Sequence, residues 1–405
     1  MPRLEITFGQ QSAALEFADG ALLQPRAGRP APKGVADVSD SVRSVLETPM
    51  DFPSLRLALT PEDEVAITVP IAVHQVEPIV TVVVEHILSA GVRAENITIL
   101  GAAMGRQLQA LAASHSRALR GVKVSAHDRA DTKARAYLAG TSNGRALYMD
   151  RRLVDAGQVV VIGRVGYDAR FGYRGGLDEL FPAFSDQATW QEFTARPLHN
   201  LGGNLGSQAM AEAKEVGWLL GLPFLIQVLE GPEDSVTAVL AGTADSLGER
   251  SQRLLDAQER LHVSRHADLV IATITGEPAG CTFADVARAF AVASRVIRPG
   301  GAIAILSRVN GELGAGCACL RGADSPIEGL RLARQGHAED LESVWHLATA
   351  AEHARLFLFS DLPGDAVEEM FITPLESPAQ VQRLIEEAAT TVLLPDAHRC
   401  LVDVA

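Results

Sequence analysis

Short apolar runs and helix-length amphipathic segments alternate along the first half of the chain. The strand-like runs are 4–8, 64–69, 96–100 and 122–126, and the helical patterns are 39–47, 78–90 and 106–119. Alternation of this kind is typical of α/β units that build a parallel sheet. The continuous apolar run Val159–Gly163 predicts a central strand that is buried on both faces.

A second series of alternating segments begins near residue 250. Its helical patterns are 251–262, 282–295, 339–353 and 378–389, and its strand patterns are 269–272, 302–307, 355–359 and 391–394. The predicted fold class is therefore α/β with two domains, 1–250 and 251–405. Each domain is expected to contain a mainly parallel sheet flanked by helices, with a ligand cleft between the two domains.

Two segments interrupt this regularity. Residues 21–35 are rich in proline and predict a loop, and residues 164–207 are rich in glycine and aromatic side chains without a clean period. A long irregular segment inside a compact domain is usually functional. Its glycines indicate backbone that approaches either a ligand or itself. They include Gly172, Gly175, Gly176, Gly202, Gly203 and Gly206.

Composition and charge exclude several classes of protein. Acidic residues outnumber basic ones by 50 to 36, which gives a net charge of −14, whereas a general nucleic-acid binder needs a basic surface. Four cysteines in 405 residues cannot form a disulfide framework. No apolar stretch is long enough to span a bilayer, and MPRLEITFGQ does not have the pattern of a signal peptide. We therefore expect a cytoplasmic protein with no nucleic-acid or membrane partner, for which self-association into a homo-oligomer stays open.

No standard catalytic motif is present in strong form. The sequence contains neither a phosphate-binding P-loop nor the HExxH pattern of zinc proteases. Lysine chemistry is confined to four positions, Lys33, Lys123, Lys133 and Lys214.

Residues 126–176 resemble the lactate racemase family. The matching elements are His127-Asp128, Leu138–Gly144, Arg151–Ala156, the strand at 159–163 and Gly175-Gly176. Further similar stretches are VAITVP at 65–70, ENITILGAAMGR at 95–106, ADLVIATITGEP at 267–278 and ASRVIRPGGAIAIL at 293–306. The resemblance covers nearly the whole chain and implies the same two-domain α/β fold.

The resemblance also implies a chemistry. In this family a nickel-pincer nucleotide takes a hydride from the α-carbon of a 2-hydroxy acid and returns it to either face, so an active member is an isomerase. Two histidines serve in turn as general base and general acid, because an imidazole gives and takes protons near neutral pH. A lysine holds the cofactor as a thioamide, and a further histidine binds nickel.

Most of those functional residues are replaced in this chain. Gly105 and Asp168 stand at the positions of the two catalytic histidines, and Asp178 stands at that of the tethering lysine. Thr194 stands at the position of the nickel histidine, and His199 is the candidate metal ligand if the loop carries an insertion. The resemblance places Gly172, Gly175, Gly176 and Asp178 in the cofactor-binding loop. Because an aspartate cannot form the thioamide, the nickel-pincer nucleotide is not expected here.

The remaining polar residues predict a rebuilt site in the interdomain cleft for a small carboxylate or sugar acid. His74 takes the last position of the family's cofactor- and substrate-binding motif at 71–74, and Arg288 replaces a substrate-side lysine. We expect His74 or Asp168 to act as the base. We expect Arg106, Arg288 and Arg174 to bind the ligand's carboxylate.

Other interpretations stay open at this point. Asp168 and Asp178 could be loop carboxylates that pair with Arg170 and Arg174. The chain could be a divergent isomerase of 2-hydroxy acids, or a nickel-independent lyase or hydrolase that acts on a polyhydroxy acid. A third interpretation is a catalytically silent relative that acts as a binding or regulatory partner.

Overall fold

The structure is a computed structural model that describes residues 3–27, 33–70, 73–140, 144, 146–196, 198–199, 201, 208–231, 235–276 and 281–405. The chain divides into two compact units. The terminal unit comprises Met1–Ala31, Pro197–Leu201 and Asp256–Ala405, and the central unit comprises Pro32–Arg196 and Gly202–Leu255. The predicted boundary at residue 250 lies five residues before the last junction. Residues 3–27, which the prediction placed in the first domain, are grouped with the terminal unit.

Strands and helices alternate through most of the chain. The strands are β1 (Arg3–Phe8), β2 (Gln11–Glu16), β3 (Leu22–Leu23), β4 (Arg26–Ala27), β5 (Val65–Val69), β6 (Ile97–Gly101), β7 (Lys123–Ala126), β8 (Arg135–Gly140), β9 (Ala146–Asp150), β10 (Gln158–Arg164), β11 (Gly166–Asp168), β12 (Gly172–Arg174), β13 (Phe224–Glu230), β14 (Val236–Gly242), β15 (Arg260–Val263), β16 (Ala267–Thr273), β17 (Ile297–Leu306), β18 (Arg355–Phe359), β19 (Thr373–Leu375), β20 (Thr391–Leu394) and β21 (Leu401–Val404). The helices are α1 (Val38–Glu47), α2 (Val76–Ser89), α3 (Arg106–Ala113), α4 (Arg151–Val154), α5 (Gln187–Thr194), α6 (Gln208–Leu219), α7 (Ala244–Glu259), α8 (Phe283–Ala293), α9 (Ala315–Arg321), α10 (Pro326–Gln335), α11 (Leu341–His353), α12 (Gly364–Glu368) and α13 (Pro378–Glu387). Short 3₁₀ turns occupy Leu55–Leu57, Ala94–Asn96 and Leu177–Glu179.

The central unit is built on a six-stranded sheet in the order β14-β13-β10-β5-β6-β7. All neighbours are parallel except β13 and β14, which pair antiparallel at one edge. Because successive side chains of a strand point to opposite faces, Val160 and Ile162 pack into one core while Val159 and Val161 pack into another. Burial on both faces explains the unbroken apolar run of β10, and the predicted α/β class is confirmed.

The terminal unit contains a second six-stranded sheet, in the order β19-β18-β17-β16-β20-β3, and its neighbouring strands are parallel. The β1–β2 hairpin packs Ile6, Phe8, Leu15 and Phe17 into one core of this unit, together with side chains of β16 and β17. Helices α8 and α11 pack against each other and against β17. A small sheet of β21, β15 and β4 completes the unit.

Several predicted elements end elsewhere or have more structure than expected. The helix predicted at 251–262 ends at Glu259, since residues 260–263 pair with β21 as strand β15. The helix predicted at 106–119 ends at Ala113, and the predicted loop 21–35 contributes β3 and β4. The irregular segment 164–207 contains β11, β12 and α5. No helix in the described part of the chain is both long enough and apolar enough to cross a membrane.

Candidate functional site

The middle of the central sheet has the topology at which α/β proteins usually bind ligands. The chain continues from β5 to β6 on one side of β5, and from β10 to β13 on the far side of β10. The connections that leave these adjacent parallel strands therefore diverge, which leaves a crevice at their carboxyl ends. The residues at the carboxyl ends of β5, β10 and β13 are therefore the candidates for a binding site.

Three charged or ionisable side chains meet at this edge. Arg164 ends β10, Glu230 ends β13, and His74 follows β5. The His74 backbone N–H donates to Glu230 Oε1 at 2.6 Å, and His74 Nε2 lies 3.7 Å from Glu230 Oε2. Arg164 Nε lies 3.4 Å from the same Oε2. The Glu230 side chain is 4% exposed, so it is a buried carboxylate that lies beside an imidazole and a guanidinium, and the guanidinium offsets its charge.

The helix turn that carries the predicted anion-binding residue Arg106 is joined to the segment that carries His74. The side chain of Gln107 accepts the Val73 backbone N–H at 3.1 Å and donates to the Val73 carbonyl at 2.7 Å. This pair of hydrogen bonds joins the first turn of α3 to the segment that carries His74. Arg106 is exposed and forms no ion pair with any residue that the structure describes. Gly105 precedes α3 without a side-chain cap, so the first-turn N–H groups of α3 are also accessible to an anion.

Asp168 takes a structural role at the turn between β11 and β12. Its Oδ1 accepts the backbone N–H groups of Arg170 and Phe171, both at 2.7 Å. The Arg170 guanidinium donates to the carbonyls of Phe193, Thr194 and Arg196, at the end of α5. None of these hydrogen bonds joins the Asp168 carboxylate to the Arg170 guanidinium. The geometry therefore favours a turn-forming carboxylate over a base.

The glycine-rich loop packs closely on the chain's own backbone. Gly175 has φ +98°, and a Cβ atom there would lie 2.6 Å from the carbonyl of Arg164. A Cβ atom on Gly163 would lie 2.4 Å from the Gly175 oxygen. That oxygen also accepts a hydrogen bond from Gln227 Nε2 at 3.0 Å. Gly172 has φ +80° at the tight β11–β12 turn. Glycine at 163 and 175 is thus required by the fold itself, while 202–207 lie outside the described residues.

Two adjacent carboxyl groups follow this loop. The backbone N–H groups of Gly175 and Gly176 donate to Asp178 at 3.1 and 2.8 Å. Burial, with a smaller contribution from Asp168, raises the pKa of Asp178 to about 6. Burial and the neighbouring Asp178 raise the pKa of Glu179 to about 8. The positive charge of Arg174 acts in the opposite direction and lowers both pKa values in part. Arg174, which was predicted to bind a ligand's carboxylate, therefore interacts with the protein's own carboxyl groups.

Replacing Glu179 with Gln is expected to flatten the pH dependence of stability. Because the folded chain holds protons that the unfolded chain releases, the free energy of unfolding should fall as the pH rises from about 4 to about 8. One such proton changes it by at most about 1.4 kcal/mol per pH unit. Urea unfolding at a series of pH values measures the effect, with the exposed Glu62→Gln as the matched control. Parallel profiles for the wild type and both variants would contradict the assignment.

A buried polar network joins the ends of β7 and β9 to the segment before α5 and was not predicted from the sequence. His127 Nδ1 lies 2.8 Å from Asp150 Oδ2, and its Nε2 lies 2.9 Å from the Ser185 carbonyl. Arg152 forms a second ion pair with Asp150, which is fully buried. The Arg152 guanidinium and the His127 ring hold the pKa of Asp150 well below its usual range, against the opposing effect of burial. The partners of His127 are all structural, so it is an anchor of the fold.

Residues 8–200 match the family model of the lactate racemase N-terminal domain. Over this range, 193 of the 405 residues, the chain is lactate racemase-like. The matched range contains His74, Arg106 and the Asp168–Asp178 segment.

Solved structures of similar fold agree with this assignment. The lactate racemase apoprotein from Thermoanaerobacterium thermosaccharolyticum aligns with a TM-score of 0.79 and 17% identity, covering 99% of this chain and 100% of that one. A Thermotoga maritima protein aligns with a TM-score of 0.66 and 13% identity, covering 91% of this chain and 98% of that one. At these identities the likeness establishes the fold alone. No curated protein matches the sequence.

The residues of this lactate racemase-like chain do not fit the cofactor for which the family is known. Asp178 occupies the position of the tethering lysine, and its carboxylate already accepts two backbone N–H groups. The four lysines are exposed and lie outside the loop at 172–178. Within the described ranges, no three His, Cys, Asp or Glu side chains are grouped so that they could hold a metal ion.

Two predicted residues belong to the terminal unit and are described there. His199 is exposed. Arg288 lies on α8, where its Nη2 donates to Glu342 Oε1 at 3.1 Å and its side chain is 13% exposed. The charge of Arg288 is thus already compensated within its own unit.

The sequence pointed to only some of the residues described at this edge of the sheet. His74 and Arg106 were named from the resemblance to the family, whereas Glu230 and Arg164 were not. Each of these two residues is the charged last residue of a mostly apolar strand, FLIQVLE or QVVVIGR. A charge at the carboxyl end of a buried parallel strand was the signal that could have revealed them.

Proposed function

We propose that this lactate racemase-like protein binds a small hydroxy carboxylate at the carboxyl edge of the central sheet. In this proposal Arg106 and the first turn of α3 hold the carboxylate, and His74 exchanges a proton or a hydrogen bond with the hydroxyl group. The contact between His74 and the buried Glu230 is the observation that carries the proposal. The fold and the printed name of the structural relative direct attention to lactate-like ligands.

Glu230 contacts both the backbone and the ring of His74. Its Oε1 accepts the His74 backbone N–H, which fixes where the imidazole is attached. Its Oε2 lies 3.7 Å from His74 Nε2, so a carboxylate faces the ring from the protein side. Arg164 Nε lies 3.4 Å from the same oxygen. The His74 side chain is 32% exposed, so a ligand can reach it from solvent.

Arg106 supplies the charge that a carboxylate requires. A guanidinium with its donors free forms charge-assisted, often bidentate, hydrogen bonds with carboxylates. The adjacent N-terminus of α3 adds a favourable dipole. Gln107 keeps this turn attached to the His74 segment through both of its amide atoms. The carboxylate and the hydroxyl of a 2-hydroxy acid are close neighbours, which suits two groups on segments that are joined in this way.

The proposed site supports binding and proton transfer without the family's hydride chemistry. Asp178 cannot tether the pincer nucleotide, and the proposal therefore assigns no step to it. His74 is the one imidazole among the residues assigned to the site, and Asp168 is engaged in its turn. Hydroxyl recognition by His74 is the chemical role that these residues support best.

Replacing Arg106 with Ala is expected to weaken binding of lactate and gluconate by about tenfold or more, because a hydrogen bond to a charged group contributes about 1.5–3 kcal/mol. Calorimetric titration of acetate, L-lactate and D-gluconate into the wild-type chain and the variant measures this. Arg117→Ala, an exposed arginine beyond the end of α3, is the matched control and should bind as the wild type does.

Replacing His74 with Ala tests recognition of the hydroxyl separately from binding of the carboxylate. The wild type should prefer lactate to acetate, because only lactate offers a hydroxyl to His74. The variant should lose that preference and keep its affinity for acetate. A wild type that binds none of the three acids, or an Arg106→Ala variant that binds them as tightly as the wild type, would overturn the proposal.

A further inference from the structure

The end of α6 carries two large apolar side chains that face solvent. Trp218 is 68% exposed, and Leu222, just beyond the helix, is 59% exposed. Ala213 and Val216 on another face of the same helix are buried in a core of the central unit, so α6 is anchored there and leaves this end uncovered. Single exposed apolar residues are common on folded proteins, whereas several at one place often mark an interaction surface.

The backbone of Leu222 adopts a conformation that leucine rarely takes. Its φ is +60°, in the left-handed region. The end of the helix is formed by hydrogen bonds from the Gly221 N–H to the Trp218 carbonyl, at 3.1 Å, and from the Leu222 N–H to the Gly217 carbonyl, at 3.0 Å. These bonds involve the backbone alone and do not require an apolar side chain at 222. Leu222 is therefore unfavourable in both its exposure and its conformation, and a contact made by its side chain would offset both.

Charges of both signs lie beside these apolar residues. Lys214 precedes Trp218 by four residues, which places the two on the same face of α6. Lys214 Nζ lies 3.7 Å from Asp245 Oδ1, in the first turn of α7, and both side chains are mostly exposed. An exposed ion pair of this kind adds little to the stability of its own chain. A surface that carries both signs is complementary to a second copy of itself, whereas a surface of one sign would repel that copy.

We propose that Lys214, Trp218, Leu222 and Asp245, together the α6 patch, form an interface at which two copies of this chain associate about a two-fold axis. In this dimer the apolar side chains of the two copies bury each other, and Lys214 of each copy faces Asp245 of the other. An anionic membrane suits the patch less well, because the chain has a net charge of −14. The inference does not depend on the carboxylate site.

The size of the α6 patch predicts a weak dimer. A stable complex buries roughly 800 Å² on each partner, which is far more than two large apolar side chains supply. We therefore expect a Kd of about 10 μM or more. Sedimentation velocity of the full chain, from about 1 μM to about 500 μM, should show the wild type passing from monomer towards dimer.

Replacing Trp218 with Ser should raise the Kd of the dimer by about tenfold or more, because tryptophan is among the residues that contribute most to interfaces. The matched control is Leu57→Ser, which removes another exposed leucine of the central unit and should dimerise as the wild type does. Leu222→Asn separates the contact from the fold. Asparagine adopts positive φ more readily than leucine, so this variant should be at least as resistant to urea as the wild type, while its Kd rises about fivefold or more.

A charge exchange tests the two-fold arrangement. Lys214→Glu and Asp245→Lys should each dimerise less well alone, since like charges then face each other across the interface. An equimolar mixture of the two variants should recover association, because each facing pair in the mixed dimer again has opposite signs. Near-ultraviolet circular dichroism checks that every variant is folded.

Three results would overturn the proposal. The first is a wild type that stays monomeric at about 500 μM, whatever else the α6 patch then binds. The second is a folded Trp218→Ser variant that dimerises as tightly as the wild type. The third is a mixture of the two charge variants that associates no better than either variant alone.

Discussion

Gly175→Ala is expected to destabilise the cofactor-free chain by about 3 kcal/mol or more. Gly175 has φ +98°, a conformation that L-residues rarely adopt, and the added Cβ would lie 2.6 Å from the Arg164 backbone. Neither the loop nor β10 can move away easily, since the Gly175 oxygen also accepts from Gln227 in β13. Urea unfolding of the purified chain gives the free-energy difference.

The matched control separates backbone conformation from packing. Gly221 has φ +83° and open space around the position of a Cβ atom, so Gly221→Ala should cost only about 1 kcal/mol. If glycine were needed at 175 only to let a ligand approach, Gly175→Ala would lower the free energy of unfolding by no more than Gly221→Ala does. Equal free-energy losses for the two variants would refute the packing explanation.

The second large effect concerns the cofactor. The chain is expected to acquire neither the pincer nucleotide nor nickel, even when it is produced together with the pincer-synthesis enzymes. Asp178 is a carboxylate where the resemblance places the tethering lysine, and the N–H groups of Gly175 and Gly176 hold it in the loop. None of the four lysines lies in that loop. Lys214, for example, is exposed on α6, and its Nζ lies 3.7 Å from Asp245 Oδ1.

Much of the fold could be predicted because each core strand carries its own local signal. The run around Val160 is apolar at every position because both faces of β10 are covered. The end of α7 could not be predicted, since residues 260–263 become a strand only by pairing with β21, about 140 residues further along the chain. Tertiary pairing of this kind has no signature in a local sequence pattern.

Residues of the proposed site were predicted only where the sequence follows the family's motifs. His74 and Arg106 could be found because the resemblance places them at positions of those motifs. Glu230 could not be assigned as the partner of His74, because the order of β5, β10 and β13 across the sheet decides that contact. For Gly175 the sequence left open whether a ligand or the chain itself comes close, and the distance to Arg164 favours the chain.

This chain keeps the lactate racemase fold, and we expect it to have lost the ability to hold the cofactor, since a carboxylate stands where the tethering lysine would be. The most direct test is the intact mass of the chain, measured together with its nickel content after production with the pincer-synthesis enzymes and nickel. A lactate racemase produced in the same way serves as the positive control. We expect the unmodified mass of the polypeptide and no bound nickel. Near-stoichiometric nickel, with or without the added mass of the nucleotide, would contradict this expectation.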